Sequence, residues 1–323
     1  MLDSIGRAIL VSTVVALFVE ALLWLWRVDQ GAARVQFRAA SIVSGALLPI
    51  LFAVVAPFRL HDWFVARFAV FAGDRWNLLD PGGIGAGRLA TAVLAVAGLA
   101  LLLFDLVPSL LDATGRRRPR ASECRQHDDL LREARTLAAG AGMPVPAVCF
   151  IEAASPVLLC HGLAHPRLVV SAGALSLLDA AERRAALAHE LVHVRHRDPL
   201  IGWGLLLVRV LCWFSPALQL QARALVTDLE RRADDEAATA SGDPVALASA
   251  VLRLHRHVSA LSDGVGPSLW SRRLGEALRR ARAAGLERRC RRLLQPVMNA
   301  PALSRGHLVA AIGASILLAF LVV

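Results

Sequence analysis

Residues 189–193 read His-Glu-Leu-Val-His, and residues 228–237 read DLERRADDEA. On a helix, residues four apart share a face, so His189 and His193 can put two imidazoles on one metal ion. Glu190, beside the first histidine, can reach a water held by that ion. Zinc brings the pKa of such a water down to about 7, within reach of a carboxylate base. A catalytic zinc also needs a third protein ligand and one open position. Glu230 in the second stretch is the candidate ligand. Asp234, one turn further on, shares its face and suits a hydrogen bond that fixes a ligand histidine's tautomer. The residues could therefore build a hydrolytic site with one zinc ion. Its ligands would be His189, His193 and Glu230, and its catalytic carboxylates Glu190 as base and Asp234 in support.

Each residue also has a plainer reading. His189 and His193 could be surface histidines of an amphipathic helix. Glu190 could pair with Arg183, Arg184 or Arg197, and Glu230 and Asp234 with Arg231 and Arg232. The metal reading is favoured because the spacing suits zinc twice, once in each stretch.

Several elements must position these residues. Asp179, with Glu182 three places on, forms a capping box that opens the first zinc-site helix. Asp198-Pro199 ends it and starts another, with Asp as cap and Pro at the first helical position. Leu200 to Phe214 is apolar apart from Arg209, Ser215-Pro216 breaks the run, and a helix continues through DLERRADDEA. A helical hairpin near 199–222 that dips into the bilayer is expected, because a single crossing would strand Glu230 on the opposite side from His189. Upstream, Ser122 to Ala139 has helical periodicity and GMPVPAVCFIE reads as a turn and a strand. PVLLC at 156–160 and RLVVS at 167–171 read as a hairpin joined by HGLAH. His161 and His165 there read as turn residues rather than ligands. Beyond Gly242 an arginine-rich helical region runs to about Leu294. His255, His257 or a nearby arginine there could stabilise an oxyanion, although residues two apart point in different directions.

The chain has 323 residues, 56% of them hydrophobic, and a mean hydropathy of +0.53. That is too apolar for an ordinary soluble domain and implies several membrane spans. Ile5–Trp26, Ala39–Phe58 (kinked at Pro49) and Leu89–Leu111 fit, and His307–Val323 is just long enough. The expected division is a membrane domain at 1–111, a metalloenzyme domain at 112–300 and a final span at 301–323. Net charge is +10 with no lysine at all, a pattern that coding bias in a GC-rich genome explains. No nucleic-acid-binding motif accompanies the arginines. Arg116, Arg117, Arg118 and Arg120 follow the third span and place that loop inside. The loop from Arg59 to Arg88 is expected on the membrane surface, and PGGIGAG at 81–87 is expected to be a turn rather than a phosphate loop. Five cysteines without Cys-x-x-Cys argue against a disulfide framework or a cysteine zinc site and fit a reducing compartment.

HELVH at 189–193, Arg195, Arg197-Asp198, CWFSP at 212–216 and ERRADDEA at 230–237 together resemble the BlaR/MecR-type membrane metallopeptidases, the antirepressor family. CHGLAHPRLVVSAGAL at 160–175 is similar to the segment those proteins carry before the zinc helix. The ERRAD core also resembles the HtpX-type and CAAX-processing membrane peptidases. The resemblance covers about 150–240 closely. It implies a mainly α membrane protein, with transmembrane helices plus a small zincin-like (gluzincin) α+β peptidase domain at the cytoplasmic side of the cell membrane. It makes His189, His193 and Glu230 the zinc ligands, Glu190 the base and Asp234 the supporting acid. It also implies a substrate held as an added strand along 167–171.

The expected function is an integral-membrane zinc endopeptidase acting on a cytoplasmic or membrane-proximal protein, such as a transcriptional repressor or other regulatory protein. An HtpX-type quality-control protease is the alternative within the class. Outside it stands a non-catalytic membrane signalling protein that keeps the zinc-site fold. A transporter ranks behind both, since the spans show no internal repeat and few buried charges. The expected partners are a protein substrate and the lipid bilayer, with no direct nucleic acid, and the oligomeric state is open. Beta-lactam sensors of the family continue past their last span into an external penicillin-binding domain. Here the sequence ends at Val323, so sensing through such a domain is not expected.

Overall fold

The computed structural model describes residues 2–70, 85–115, 124–125, 127–140, 142, 145–161, 167–262, 284–295 and 304–322. The arginine cluster at 116–120, His165 and residues 81–84 of the glycine-rich stretch lie outside them. The chain divides into two compact units. One comprises Met1–Arg117, Trp203–Leu229 and Ala300–Val323, and the other Arg118–Gly202 and Glu230–Asn299.

The first unit is helical. α1 (Leu2–Leu25), α2 (Gly31–Val55) and α4 (Ala86–Gly115) are long and apolar enough to cross a membrane. α3 (Asp62–Phe68) is a short surface piece between them, and α12 (Arg305–Leu321) is a shorter apolar helix of 17 residues. α2 begins before Ala39 and carries Pro49 inside it.

Contacts at the helix ends fix which way each helix runs. The Trp26 ring meets the His307 ring at 5.2 Å, joining the end of α1 to the start of α12. Arg59, just past α2, donates to the carbonyls of Ala319, Phe320 and Val322 at the end of α12. A cation there satisfies the orphan carbonyls and the negative end of the helix dipole. Asp3 at the start of α1 lies 3.5 Å from Arg88 at the start of α4. The chain therefore leaves α4 and enters α12 at the same end of this bundle.

This unit buries a cluster of charge among its described residues. Arg38 on α2 donates to Glu20 at 2.8 and 3.0 Å and also binds Asp228, which Arg34 reaches at 3.0 Å. The sequence hid this network because its members come from three separated helices, and each cost of burial is offset by a partner.

α8 (Asp198–Leu211) and α9 (Pro216–Ser241) form the helical hairpin. Fourteen residues rise about 21 Å, short of the ~30 Å hydrocarbon core. Ser215 at the corner hydrogen-bonds Ser12 of α1 at 2.8 Å. Arg209 and Arg223 both pair with Asp105 of α4, at 2.6 and 2.8 Å. Leu200, Trp203, Leu207 and Leu211, spaced three and four apart, form an exposed apolar face.

The second unit holds a small sheet of order β1-β3-β2, from β1 (Ala147–Ile151), β2 (Leu158–His161) and β3 (Arg167–Ser171). β2 and β3 pair antiparallel, as the sequence pattern suggests, while β1 joins β3 in parallel. Against the sheet pack α5 (Asp128–Gly140), α7 (Ala180–His196), the lower part of α9 and α10 (Pro244–Ser262). Their shared core includes Leu130, Leu137, Leu168, Val170, Leu187, Leu191, Val192, Ala233 and Leu247. α6 (Ala172–Leu177) links β3 to α7, and a further helix, α11, covers 284–294.

Two expectations need correction here. The helix predicted from Ser122 starts only at Asp128, because Arg125 pairs as an isolated antiparallel bridge with Phe150. That bridge sets Cys124 beside Cys149, with Cα atoms 4.9 Å apart, and the two form a disulfide. The cysteine count argued against a framework of disulfides but could not exclude one bridge built by a local strand contact.

Candidate metal centre

The capping box at the start of α7 is present in full: Asp179 accepts from the Glu182 N–H, and Glu182 accepts from the Asp179 N–H. It fixes the first turn of the helix and is worth about 1 kcal/mol. Three turns on, His189 and His193 project from one face. Their Nε2 atoms stand 3.2 Å apart. Glu230 of α9 comes in from the side, its Oε2 3.6 Å from His189 Nε2 and its Oε1 3.8 Å from His193 Nε2. His189, His193 and Glu230 each offer one ligand atom, all within 4.8 Å of one another, and they are the cluster of that kind among the described residues.

The far side of each imidazole is held by a carboxylate. His193 Nδ1 lies 2.7 Å from Asp198 Oδ2, and a buried Arg232 donates to the other oxygen of Asp198. His189 Nδ1 lies 3.2 Å from Asp234 Oδ1. That buried nitrogen has the Asp234 carboxylate beside it but no hydrogen bond of full geometry. At 3.2 Å the two Nε2 atoms can share one proton or bind one metal ion. Two imidazoles on a tetrahedral zinc would have nitrogens about 3.3 Å apart. The donor set and the spacing both fit a zinc ion.

The charges agree. Four carboxylates, Glu190, Asp198, Glu230 and Asp234, gather around the imidazoles with two guanidiniums, Arg232 and Arg289, among them. A dication would balance them. Burial alone would lower the His189 pKa, but Asp234 and Glu230 outweigh it and raise it to about 10. Burial opposes the charge on Glu230 and Asp234 as well, yet His189 and Arg289 beside them hold both carboxylates below their ordinary values.

Glu190 is fitted for a different task. Burial raises its pKa, against the pull of the two histidines, which suits a base working near neutrality. Its Oε2 accepts the Cys160 N–H at 2.7 Å, which ties the base to strand β2. Burial, then Glu190 and Asp198, push the Cys160 thiol up to about 12, so it stays protonated and is no competing ligand.

Of the plainer pairings, Arg183 binds Glu133 instead of Glu190, and Arg232 binds Asp198. His161 lies in β2 rather than in the turn. Among the described residues no hydrogen bond or ion pair joins His255 or His257 to the cluster. The added-strand expectation for 167–171 fails, because β3 is the central strand with both edges paired. β2 is the edge strand that runs beside Glu190. Three residues had no expected place in the centre: Arg232, Arg289 and, beyond its role as a helix cap, Asp198.

Residues 88–257, just over half of the chain, match the family model described as BlaR1 peptidase M56. The chain belongs to the M56 peptidase family. Its relatives include proteins named Protease HtpX homolog. Those of Ralstonia pickettii (strain 12J) and Paraburkholderia phytofirmans (strain DSM 17436 / LMG 22146 / PsJN) are each 30% identical over 238 residues, covering 62% of this chain and 82% of the relative. The homologue of Ralstonia nicotianae (strain ATCC BAA-1114 / GMI1000) is 31% identical over 157 residues, covering 39% of this chain and 55% of its own length. This M56 member is thus a membrane metallopeptidase of the HtpX/BlaR1 type, with a protein substrate and a bilayer around its apolar helices.

Proposed function

We propose that this M56 peptidase is a multi-pass zinc endopeptidase in which His189, His193 and Glu230 hold one zinc ion. The observation that carries the reading is the meeting of two Nε2 atoms at 3.2 Å with a carboxylate beside them and an acid behind each ring. Bound zinc supplies a Lewis acid for the scissile carbonyl and eases ionisation of the attacking water.

This chain's own residues do the rest. Glu190 takes the proton of the attacking water and returns it to the leaving amide nitrogen. Asp198 and Asp234 keep the two imidazoles in the tautomer whose Nε2 is a donor to the metal. The free edge of β2 lines up the substrate as an added strand next to Glu190. The Cys160 N–H, now given to Glu190, is one of the backbone groups on that edge.

The peptidase unit faces the cytoplasm on this reading, where the Cys124–Cys149 pair would be kept as two thiols unless oxidised. The arginine run at 116–120 follows α4, and positive loops stay inside. The end of α4 and the start of α12 lie at one end of the bundle, so α12 serves as a fourth span. α8 and α9 dip into the bilayer without crossing it. The substrate is then a cytoplasmic or membrane-proximal protein, a regulatory protein or a damaged membrane protein.

The test is proteolysis by the full chain in detergent, comparing wild type with Glu190→Gln. General-base catalysis contributes roughly 10²–10⁴-fold, and a loss of that size is expected with the zinc content unchanged. Undiminished proteolysis by the variant would remove Glu190 from the mechanism.

A further inference from the structure

Arg289 lies on α11, beyond the residues matched by the family model. Its Nε donates to Asp234 Oδ2 at 2.8 Å and its Nη2 to Asp234 Oδ1 at 2.7 Å. Its Nη1 lies 2.9 Å from Glu230 Oε2. One guanidinium thus grips two carboxylates set one turn apart on α9. A planar fork suits this bidentate grip, and a lysine ammonium, a point charge, does not reproduce it.

We propose that Arg289 is a positioning residue for the metal centre, which fixes the ligand carboxylate of Glu230. The idea rests on the zinc reading given above. Glu230 is the most exposed of the three proposed ligands, with 36% of its side chain accessible. By holding Oε2, Arg289 leaves Oε1 as the oxygen free for a cation. By gripping Asp234 with its other two nitrogens, it also fixes the acid behind His189. Arg289 therefore orders two of the three ligands at once. Its Nε, Nη1 and Nη2 each engage one of these two carboxylates, which is the contact set of a positioning residue.

Arg292, one turn along α11, provides an internal control. It pairs with Asp235, which is not part of the centre. The two arginines together dock α11 on α9, and Arg289 is the one placed on Glu230 and Asp234.

The experiment measures zinc affinity by chelator competition on the full chain in detergent, for wild type, Arg289→Gln, Arg289→Lys and Arg292→Gln. Loss of a residue that supports a metal ligand costs about 10–100-fold in affinity. That loss is expected in Arg289→Gln and also in Arg289→Lys, which keeps the charge but loses the fork. Arg292→Gln is expected to bind zinc as the wild type does. The Co²⁺-substituted protein adds a second readout: its visible absorption should change shape in both Arg289 variants and not in Arg292→Gln.

The sign of the effect separates positioning from charge alone. Removing a nearby cation without loss of ligand order would tighten zinc binding. Equal or tighter binding in both Arg289 variants, with an unchanged cobalt spectrum, would overturn the proposal. An equal loss in Arg292→Gln would also overturn it, since helix docking would then explain the effect. If Arg289→Gln does not fold, the lysine variant carries the comparison. Absence of zinc from the wild type would instead defeat the zinc reading itself.

Discussion

His193 Nδ1 and Asp198 Oδ2 stand 2.7 Å apart, although Asp198 opens the next helix. One residue thus starts α8 and holds His193 of α7, a proposed metal ligand. Its second oxygen takes a hydrogen bond from Arg232, which is buried with it. Asp198→Asn should therefore do two things. Zinc affinity should fall about 10–100-fold, as expected for loss of a partner to a ligand histidine. Stability should fall by about 3–5 kcal/mol, because a buried guanidinium loses its counter-charge. Chelator competition and thermal unfolding of the same sample check both. Unchanged zinc affinity would show that Asp198 serves the helix alone.

The ion cluster also sets a pH dependence for the metal-free peptidase. The His189 pKa is raised from its ordinary 6.5 to about 10, first against burial and then by Asp234 and Glu230. A raised pKa gives stability that is complete below the unfolded value and is lost as pH climbs through the folded one. Glu230 and Asp234 are lowered, so their contribution is present above ordinary carboxylate values and is lost in acid. In chelator, Tm should decline between pH 7 and pH 10. With zinc bound at Nε2, His189 is held as the neutral imidazole and has no such titration, so the decline should vanish. A decline that zinc leaves untouched would contradict this assignment.

Gly173 supplies a test of how the sheet reaches the centre. A Cβ there would lie 2.0 Å from the Ala154 carbonyl oxygen and 2.6 Å from its carbon. The backbone at Ala153 also accepts the Gly173 N–H at 2.9 Å. Gly173→Ala must push the 153–157 loop away, and that loop leads into β2, whose Cys160 N–H binds Glu190. Overpacking of this kind costs about 1–3 kcal/mol. A lower Tm together with a raised KM for a peptide substrate is expected. An unchanged KM would separate the loop from substrate binding.

The Cys124–Cys149 bridge closes a separation of 25 residues and should stabilise the peptidase unit by about 3 kcal/mol if it acts on the unfolded chain. Cys149→Ser should lower Tm with little change in zinc content, because neither cysteine touches the cluster. Loss of zinc in that variant would mean that β1 supports the centre more directly than the contacts indicate.

How much of this was legible depended on sequence distance. His189, Glu190 and His193 could be read at once, because helical spacing of four dictates a shared face. Glu230 and Asp234 could be read as the second half of the same pattern. The capping box at Asp179 and the β2–β3 hairpin were local signals too. Asp198 gave only its local message, a helix start before proline. Its reach to His193 and to Arg232, 34 residues away, needs the turn between α7 and α8. Arg289 gave no signal, being one arginine in a chain that uses no lysine, 55 residues from Asp234. The edge strand was misplaced because alternation shows that a strand exists and not which neighbour it pairs with. The buried Arg38–Asp228 pair was invisible for the same reason, since α2 and α9 are far apart in sequence.

The central claim is that two helices bring His189, His193 and Glu230 onto one zinc ion. Its most direct test is the metal content of the purified full chain in detergent, by elemental analysis. One zinc per chain is expected in the wild type and in Glu190→Gln, and far less in His193→Ala and in Glu230→Ala. A wild type without stoichiometric zinc, or full zinc retention in both ligand variants, would contradict the account.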